Sequence, residues 1–400
     1  MSNSHHFSLL CKPLFGIIDL QGTWDMMKGL YIHIPFCESI CHYCDFVKRK
    51  PKDDYMIDEY LDALEKETLS YRSHFSTIDT IYIGGGTPSM LSLAQLKRLF
   101  EMLKEIKPSE YTIEVNPESY HADKGKLFKT YGINRVSLGV QTFNETLLLS
   151  LNRKHTKPQI FHAIDHLRSL GIDNISLDLI YAIPGQTLAM LEEDLNIIKS
   201  LDIPHVSCYS LILEEKTYFY HLFLKGLFKT MDEETEALMY ERVMERLKSF
   251  GYEHYEISNY AKDQQYSKHN LLYWTLGEYI GIGAGAHGFI DNHRTYNHRI
   301  ISTYLHTPQE RIELQTRELN IQDELIFGLR KMSGVHIKEL EEKYQFDLFE
   351  RYPKLYEMME LGLVCEEEGQ LKLTLKGIFL GNQVFSIFVW NISLKISNST

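Results

Sequence analysis

Tyr31-Ile32-His33-Ile34-Pro35-Phe36-Cys37-Glu38-Ser39-Ile40-Cys41-His42-Tyr43-Cys44 is the stretch on which the reading of the chain turns. Its first half is an apolar strand, and its second half carries three cysteines spaced C-x3-C-x2-C. Three thiolates so close in sequence can wrap one face of a metal centre but cannot close a four-coordinate one. A [4Fe–4S] cubane held this way keeps one iron without a protein ligand. Two other readings compete. A structural zinc site would recruit His33 or His42, but such sites are built from paired knuckles and no second knuckle exists here. Three unrelated buried cysteines are the other, and the remaining cysteines are only Cys11, Cys208 and Cys365, so chance clustering accounts for the spacing poorly.

With Tyr43 as the aromatic before the last cysteine, the motif resembles the radical S-adenosylmethionine (SAM) superfamily. The preceding Tyr-Ile-His-Ile-Pro-Phe is similar to the branch that contains oxygen-independent coproporphyrinogen III oxidase and the HemW-type haem chaperones. The resemblance implies that Cys37, Cys41 and Cys44 hold a [4Fe–4S] cluster. It also implies that SAM chelates the open iron, and that an electron from the cluster can release a 5′-deoxyadenosyl radical. Such chemistry belongs to the cofactor; the protein positions and shields it.

The 400 residues suffice for one large α/β domain and a small appendage. A net charge of −12 argues against nucleic acid or an anionic membrane as partner. The six cysteines form no disulfide framework, which fits a reducing cytoplasm. No apolar run reaches the ~18 residues of a membrane span. Residues 1–26 are expected to be a dispensable extension, because Met26-Met27-Lys28-Gly29 looks like a natural start.

Strand patterns fall at Gly29–Ile34, Ile78–Ile83, Tyr111–Val115, Asn134–Val140, Asn174–Ile180 and His205–Leu211. Helical spacing separates them, as over Asp54–Tyr71, from Ser92 to Glu105, and over Leu188–Leu201. This alternation predicts a parallel sheet with chemistry at the carboxyl ends of its strands. Six units suggest a partial (β/α)6 barrel over 27–215, the fold the resemblance also implies. From 216 to 320 the repeat breaks. Helices are expected at Thr217–Lys225 and Glu233–Phe250, one strand at Tyr252–Ser258, and a mostly polar stretch over Asp291–Leu319.

Residues 321–386 read as an independent winged-helix-like α+β module, followed by a tail over 387–400. Three helical stretches precede a hairpin around Glu366-Glu367-Glu368-Gly369. From Gln322 to Ser386 there are 12 acidic and 8 basic residues, the wrong sign for phosphate contacts. The module is therefore expected to pack or to bind a protein partner.

Gly84-Gly85-Gly86-Thr87-Pro88 lets backbone N–H groups come close to a ligand. After the cysteine stretch it resembles the loop that binds the SAM methionine, which makes Gly85, Gly86 and Thr87 candidates; the alternative is a plain tight turn. Glu114 ends an apolar strand, and buried glutamate is rare unless paired; the resemblance gives it a place against SAM. Tyr31 and Tyr43 match family aromatics beside SAM, or pack the core. Gln141, Arg153 and Asp178 match positions that face a second SAM or the substrate in the oxidase. Arg153 paired with Asp178 across two strand ends is the structural alternative.

His269-Asn270-x-x-Tyr273-Trp274 resembles the HNxxYW signature of HemW-type proteins. Imidazole is a common haem ligand, so His269 is the haem candidate, with His287 in Ala286-His287-Gly288 behind it. The oxidase has a further cysteine two positions after the third, and Phe46 stands there instead. Both features favour a haem chaperone that passes haem to acceptor proteins over oxidative decarboxylation of coproporphyrinogen III. Cleavage of SAM would call for an electron donor such as a flavodoxin or ferredoxin.

Overall fold

The computed structural model describes residues 28–389, so the 1–26 extension, Met27, Cys11 and all but the first residues of the tail lie outside the described residues. At the centre stand six strands: β1 (Lys28–Ile34), β2 (Ile78–Gly85), β3 (Glu110–Val115), β4 (Arg135–Gln141), β5 (Asn174–Tyr181) and β6 (His205–Ser210). They lie side by side in chain order, each parallel to the next. The helices between them are α1 (Asp54–Ser70), α2 (Leu93–Leu103), α3 (Ala122–Thr130), α4 (Glu145–Ser150), α5 (Lys157–Ser169) and α6 (Leu188–Leu201). Their starts follow capping chemistry: Asp53 accepts from the Met56 amide, and Ser92 with Gln95 forms a capping box. The expected α/β partial barrel is present.

Alternation along β1 sets the two faces of the sheet. Leu30, Ile32 and Ile34 join Tyr60, Leu61 and Leu64 of α1 in the main core. Tyr31 and His33 take the opposite, inner face.

After β6 come α7 (Tyr218–Leu224) and α8 (Glu233–Ser249), as expected. Tyr252–Ser258, expected as one strand, is instead the first arm of a hairpin, β7 (Glu253–Glu256) and β8 (Asn259–Ala261), with β8 antiparallel to β6. Next are α9 (Lys268–Trp274), β9 (Tyr279–Ile282), β10 (His287–Ile290), β11 (His293–Asn297), α10 (Ile301–Tyr304) and β12 (Gln309–Leu314). The stretch expected to be merely polar thus carries two strands. β9 is parallel to β1, and β10 to β12 continue antiparallel, giving a twelve-stranded sheet ordered β12-β11-β10-β9-β1-β2-β3-β4-β5-β6-β8-β7. The sheet stays open, with β12 and β7 as its edges.

The C-terminal module begins at α11 (Arg317–Gly328), four residues before the expected boundary. It continues through β13 (Val335–His336), α12 (Ile337–Tyr344), α13 (Leu348–Arg351), α14 (Lys354–Glu360), β14 (Val364–Glu367), β15 (Gln370–Leu373), α15 (Leu375–Phe379) and α16 (Gly381–Val389). A three-stranded sheet ordered β13-β15-β14 covers its own core of Leu325, Leu340, Leu355 and Phe388, among others. Backbone bonds dock it on the β7 hairpin: Ile257 N donates to Arg330 O at 3.0 Å and Met332 N to Tyr255 O at 3.1 Å. Among the described residues, no helix is long and apolar enough to cross a membrane.

Candidate functional site

The cysteine loop leaves the carboxyl end of β1 and is pinned without help from sulfur. Cys37 N donates to Arg49 O at 3.0 Å, and Arg49 N donates back to Pro35 O at 2.7 Å. Asn152 Nδ2 donates to Ile40 O at 2.7 Å, and His42 N to Leu151 O at 3.2 Å. Cys37, Cys41 and Cys44 are all free thiols. Burial pushes the Cys37 thiol up to about 12 and raises Cys44 as well, so a metal centre there must displace protons. Among the described residues, no three His, Cys, Asp or Glu side chains gather around a single ion. The two histidines considered for zinc are otherwise employed. His33 uses both ring nitrogens, with the Tyr31 hydroxyl at 2.9 Å and Val47 O at 2.7 Å. His42 donates through Nδ1 to Ser150 O at 2.9 Å and lies against Tyr218 and Phe219.

Gly84-Gly85-Gly86-Thr87 ends β2 beside this loop, but its amides have partners within the protein. Gly86 N donates to Ile34 O and Thr87 N to Phe36 O, each at 2.8 Å, and Gly85 N donates to Glu114 Oε2 at 3.0 Å. The glycines are needed for this close packing: a Cβ at Gly86 would stand 2.6 Å from Phe36 O, and Gly85 has φ +114°. A ligand here would meet backbone bare of Cβ rather than these three N–H groups.

Glu114 also accepts from the Tyr82 hydroxyl at 2.9 Å. Burial, and then the Asp178 carboxylate, raise its pKa to about 7. Asp178 receives the Ser137 hydroxyl at 3.0 Å, and burial raises it to about 6. Both carboxyls face the inner side of the sheet, where a cationic ligand group would shift them back toward ionisation. A bulge between Gly139 and Gln141 turns the end of β4, and Gln141 takes φ 65°.

Arg153 does not pair with Asp178. Its guanidinium donates to Gly139 O at 2.6 Å and to Asn116 Oδ1 at 2.9 Å, and its other terminal nitrogen stands 3.7 Å from Cys41 Sγ. Arg153 Nε and Gln141 Oε1 are buried without a partner. Three thiols on one loop, two buried carboxyls and these two orphaned polar atoms fit a cluster with a zwitterionic ligand beside it. Asn116 and Asn152, which hold Arg153 and the cysteine loop in place, were not singled out from the sequence. Their positions, directly after a strand and directly before the arginine, are the only signal it offered.

Tyr31 lies beside Tyr82 with ring centroids 6.2 Å apart, and burial pushes its hydroxyl pKa upward. Tyr43 packs with Leu147, Ile183 and Phe219 behind the loop. His269 is fully buried, and its two nitrogens meet the Thr80 hydroxyl and the Tyr273 hydroxyl, each at 2.8 Å. Its ring stacks on Tyr82 at 5.4 Å, and burial drives its pKa down to about 3. The histidine of the HNxxYW motif therefore braces the motif, while Tyr273 and Trp274 turn toward open space.

That space is a cavity of about 430 Å³ between the cysteine loop, β1 and the β9–β11 extension. Tyr31, Phe46, Tyr273, Trp274, Phe289 and Phe327 supply aromatic walls. His287, Arg294 and Arg299 supply its basic side. Partial shielding from water and the neighbouring Arg299, Arg311 and Arg294 lower the pKa of His287.

Residues 31–198 match the model of the radical SAM superfamily, and 316–380 match that of the HemN C-terminal domain, in line with the module beginning at α11. The chain is 44% identical over 377 residues to the heme chaperone HemW of Bacillus subtilis, covering 91% of this chain and 99% of that protein. It is 40% identical to heme chaperone HemW of Lactococcus lactis, covering 90% and 97%. Coproporphyrinogen III oxidase (HemN) from Escherichia coli, a radical SAM enzyme, shares the fold with a TM-score of 0.80 at 23% identity, over 91% of this chain and 90% of that one. The chain belongs to the HemW-type family of the radical SAM superfamily.

Proposed function

We propose that the protein is a haem chaperone that receives haem on the inner face of its sheet and hands it to acceptor proteins. Cys37, Cys41 and Cys44 would hold a [4Fe–4S] cluster, and SAM would lie between Glu114, the Gly85–Thr87 backbone, Gln141, Arg153 and Asp178. When bound, the cluster supplies a vacant iron and an electron to SAM. The residues of the chain bind, orient and exclude water. Arg153 keeps a positive charge beside Cys41, where anionic thiolate would collect. Tyr31 and Tyr82 shield the Glu114 carboxyl.

The observation that carries this reading is the aromatic cavity directly beside the cysteine loop, with the Arg299 guanidinium at its edge. A flat, apolar macrocycle with acidic edges suits such walls. The relatives that match nearly the whole chain bear the chaperone name. Decarboxylation of coproporphyrinogen III is the less favoured reading: likeness to that oxidase is one of fold, and Phe46 stands where it has a cysteine. Haem-accepting proteins would be the partners, the cytoplasm the compartment, and a flavodoxin or ferredoxin the electron source if SAM is cleaved.

The test is anaerobic haem titration of the protein with and without its cluster, followed by transfer to an apo-haemoprotein. A saturable Soret band and its movement to the acceptor are expected. Absence of a Soret change, or conversion of coproporphyrinogen III, would overturn the proposal.

A further inference from the structure

We propose that His287 is the axial ligand through which this cavity holds haem iron, and that Arg299 receives a haem propionate. The assignment rests on the haem-binding reading above and goes past the HNxxYW motif.

Three histidines lie in or against the cavity region: His33, His269 and His287. The first two are spent. His33 is tied at both ring nitrogens to Tyr31 and Val47, and His269 at both to Thr80 and Tyr273. Ligation by either would first break one of these hydrogen bonds and leave its partner without one. His287 is exposed to the cavity, and among the described residues neither of its ring nitrogens has a hydrogen-bond partner. A neutral imidazole with a free lone pair is what ferric or ferrous haem takes up.

The backbone holds His287 firmly. It opens β10, opposite Tyr296 of β11, and its ring meets Tyr296 edge to face at 4.8 Å. The run Gly281-Ile282-Gly283-Ala284-Gly285 exists for this placement. A Cβ at Gly281 would fall 1.8 Å from His287 O, and Gly283 and Gly285 have φ of +99° and +73°. The glycines fold the chain into a turn that delivers the imidazole to the cavity rim.

The two arginines differ in availability. Arg294 is neutralised by Asp323 at 2.8 Å and stacks on Phe289 at 4.5 Å, so it builds the wall. Arg299 is exposed, donates only to Asp45 O at 3.4 Å, and pairs with no carboxylate among the described residues. An exposed guanidinium at the edge of an aromatic cavity is suited to a carboxylate carried on a flat apolar ring.

The experiment titrates ferric haem into the cluster-loaded wild-type protein and into His287→Ala, His287→Gln, His269→Ala and Arg299→Gln, with circular dichroism to report folding. For both His287 variants the expectation is a Kd raised about tenfold or more and a ligation spectrum changed from the histidine type. Added imidazole should restore that spectrum in His287→Ala. His269→Ala should keep the wild-type spectrum in its folded fraction. Arg299→Gln should weaken haem but not haem dimethyl ester. Wild-type affinity and spectrum in His287→Gln would overturn the ligand assignment while leaving haem binding intact. Equal weakening of haem and its dimethyl ester by Arg299→Gln would overturn the propionate contact. A wild-type protein with no Soret response sinks the chaperone reading, and this assignment with it.

Discussion

The Arg153 guanidinium stands 3.7 Å from the Cys41 Sγ while its other terminal nitrogen is locked onto Asn116 Oδ1 and Gly139 O. Three strand ends, β1, β3 and β4, are thereby gathered around one buried cation next to the cysteine loop. Arg153→Ala should leave iron content near wild type, because the loop is pinned independently by Asn152 and Arg49. It should abolish the change that SAM produces in the EPR spectrum of the reduced cluster. Loss of the buried donor should also cost about 1–3 kcal/mol of stability. A wild-type SAM response in the variant would remove Arg153 from the SAM site.

Cys41→Ala should lose the cluster and keep the fold. The loop's anchors are backbone bonds and Asn152, and the main core lies on the other face of β1. Iron and sulfide analysis should fall to background while far-UV circular dichroism and the melting temperature of the apo-protein stay close to wild type. An unfolded variant would mean that metal, not the sheet, organises this end of the barrel.

The parallel half of the fold was legible because apolar residues alternate along its strands, as in Val136-Ser137-Leu138-Gly139-Val140 and Ile175-Ser176-Leu177-Asp178-Leu179, with helical spacing between them. The extension was not. β9 and β10 are four residues each, and every residue of β12 is exposed, so neither length nor alternation marks them. Cys37, Cys41 and Cys44 lie within eight residues and announced themselves. The cavity is not contiguous: Phe46, Trp274, His287 and Arg299 meet only through the pairing of β9 with β1. A motif can also mislead about direction. His269 belongs to a recognisable signature, yet its side chain points into the core and its neighbours Tyr273 and Trp274 face the cavity.

Glu67 is the stitch between α1 and the extension. Its buried carboxylate accepts from the Tyr304 hydroxyl and Asn297 Nδ2, both at 2.6 Å, and from Gly283 N at 2.9 Å. Burial raises its pKa, and the three donors work against that. Glu67→Ala strands all three, so a loss of about 3 kcal/mol or more is expected in urea unfolding. Because Gly283 opens the turn that presents His287, haem affinity should fall in the same variant. Glu67→Gln, which keeps an acceptor, should lose less of both. A Glu67→Ala protein with wild-type stability would show that the extension is held by its strand pairing alone.

Glu256 ends β7, where its backbone pairs with that of Lys331 of the C-terminal module in an isolated antiparallel bridge, and it is fully buried. Desolvation lifts its pKa from 4.5 to about 7; Arg330, the Asn259 side chain and the Ser258 amide oppose that only in part. Tyr240 and Tyr255 also face it and stay neutral, since burial raises their own pKa values. With the folded value above the unfolded one, the folded state holds the proton more tightly. The contribution is therefore full below about pH 4.5 and is lost as pH rises through about 7. A displacement of this size is worth on the order of 3 kcal/mol across that window. Asp194, raised to about 6 by burial, and the Glu114 and Asp178 carboxyls act with the same sign, while His33, His254 and His269, lowered by burial to about 4, 4 and 3, act with the opposite sign below about pH 6.5; the share of Glu256 is a downward slope in the melting temperature of the apo-protein from pH 5 to pH 8. Glu256→Gln should flatten that slope and melt above wild type at pH 8, since a neutral amide stays where an ionised carboxylate is disfavoured. A slope left unchanged by the substitution would mean that water or Arg330 compensates the Glu256 charge in the folded state.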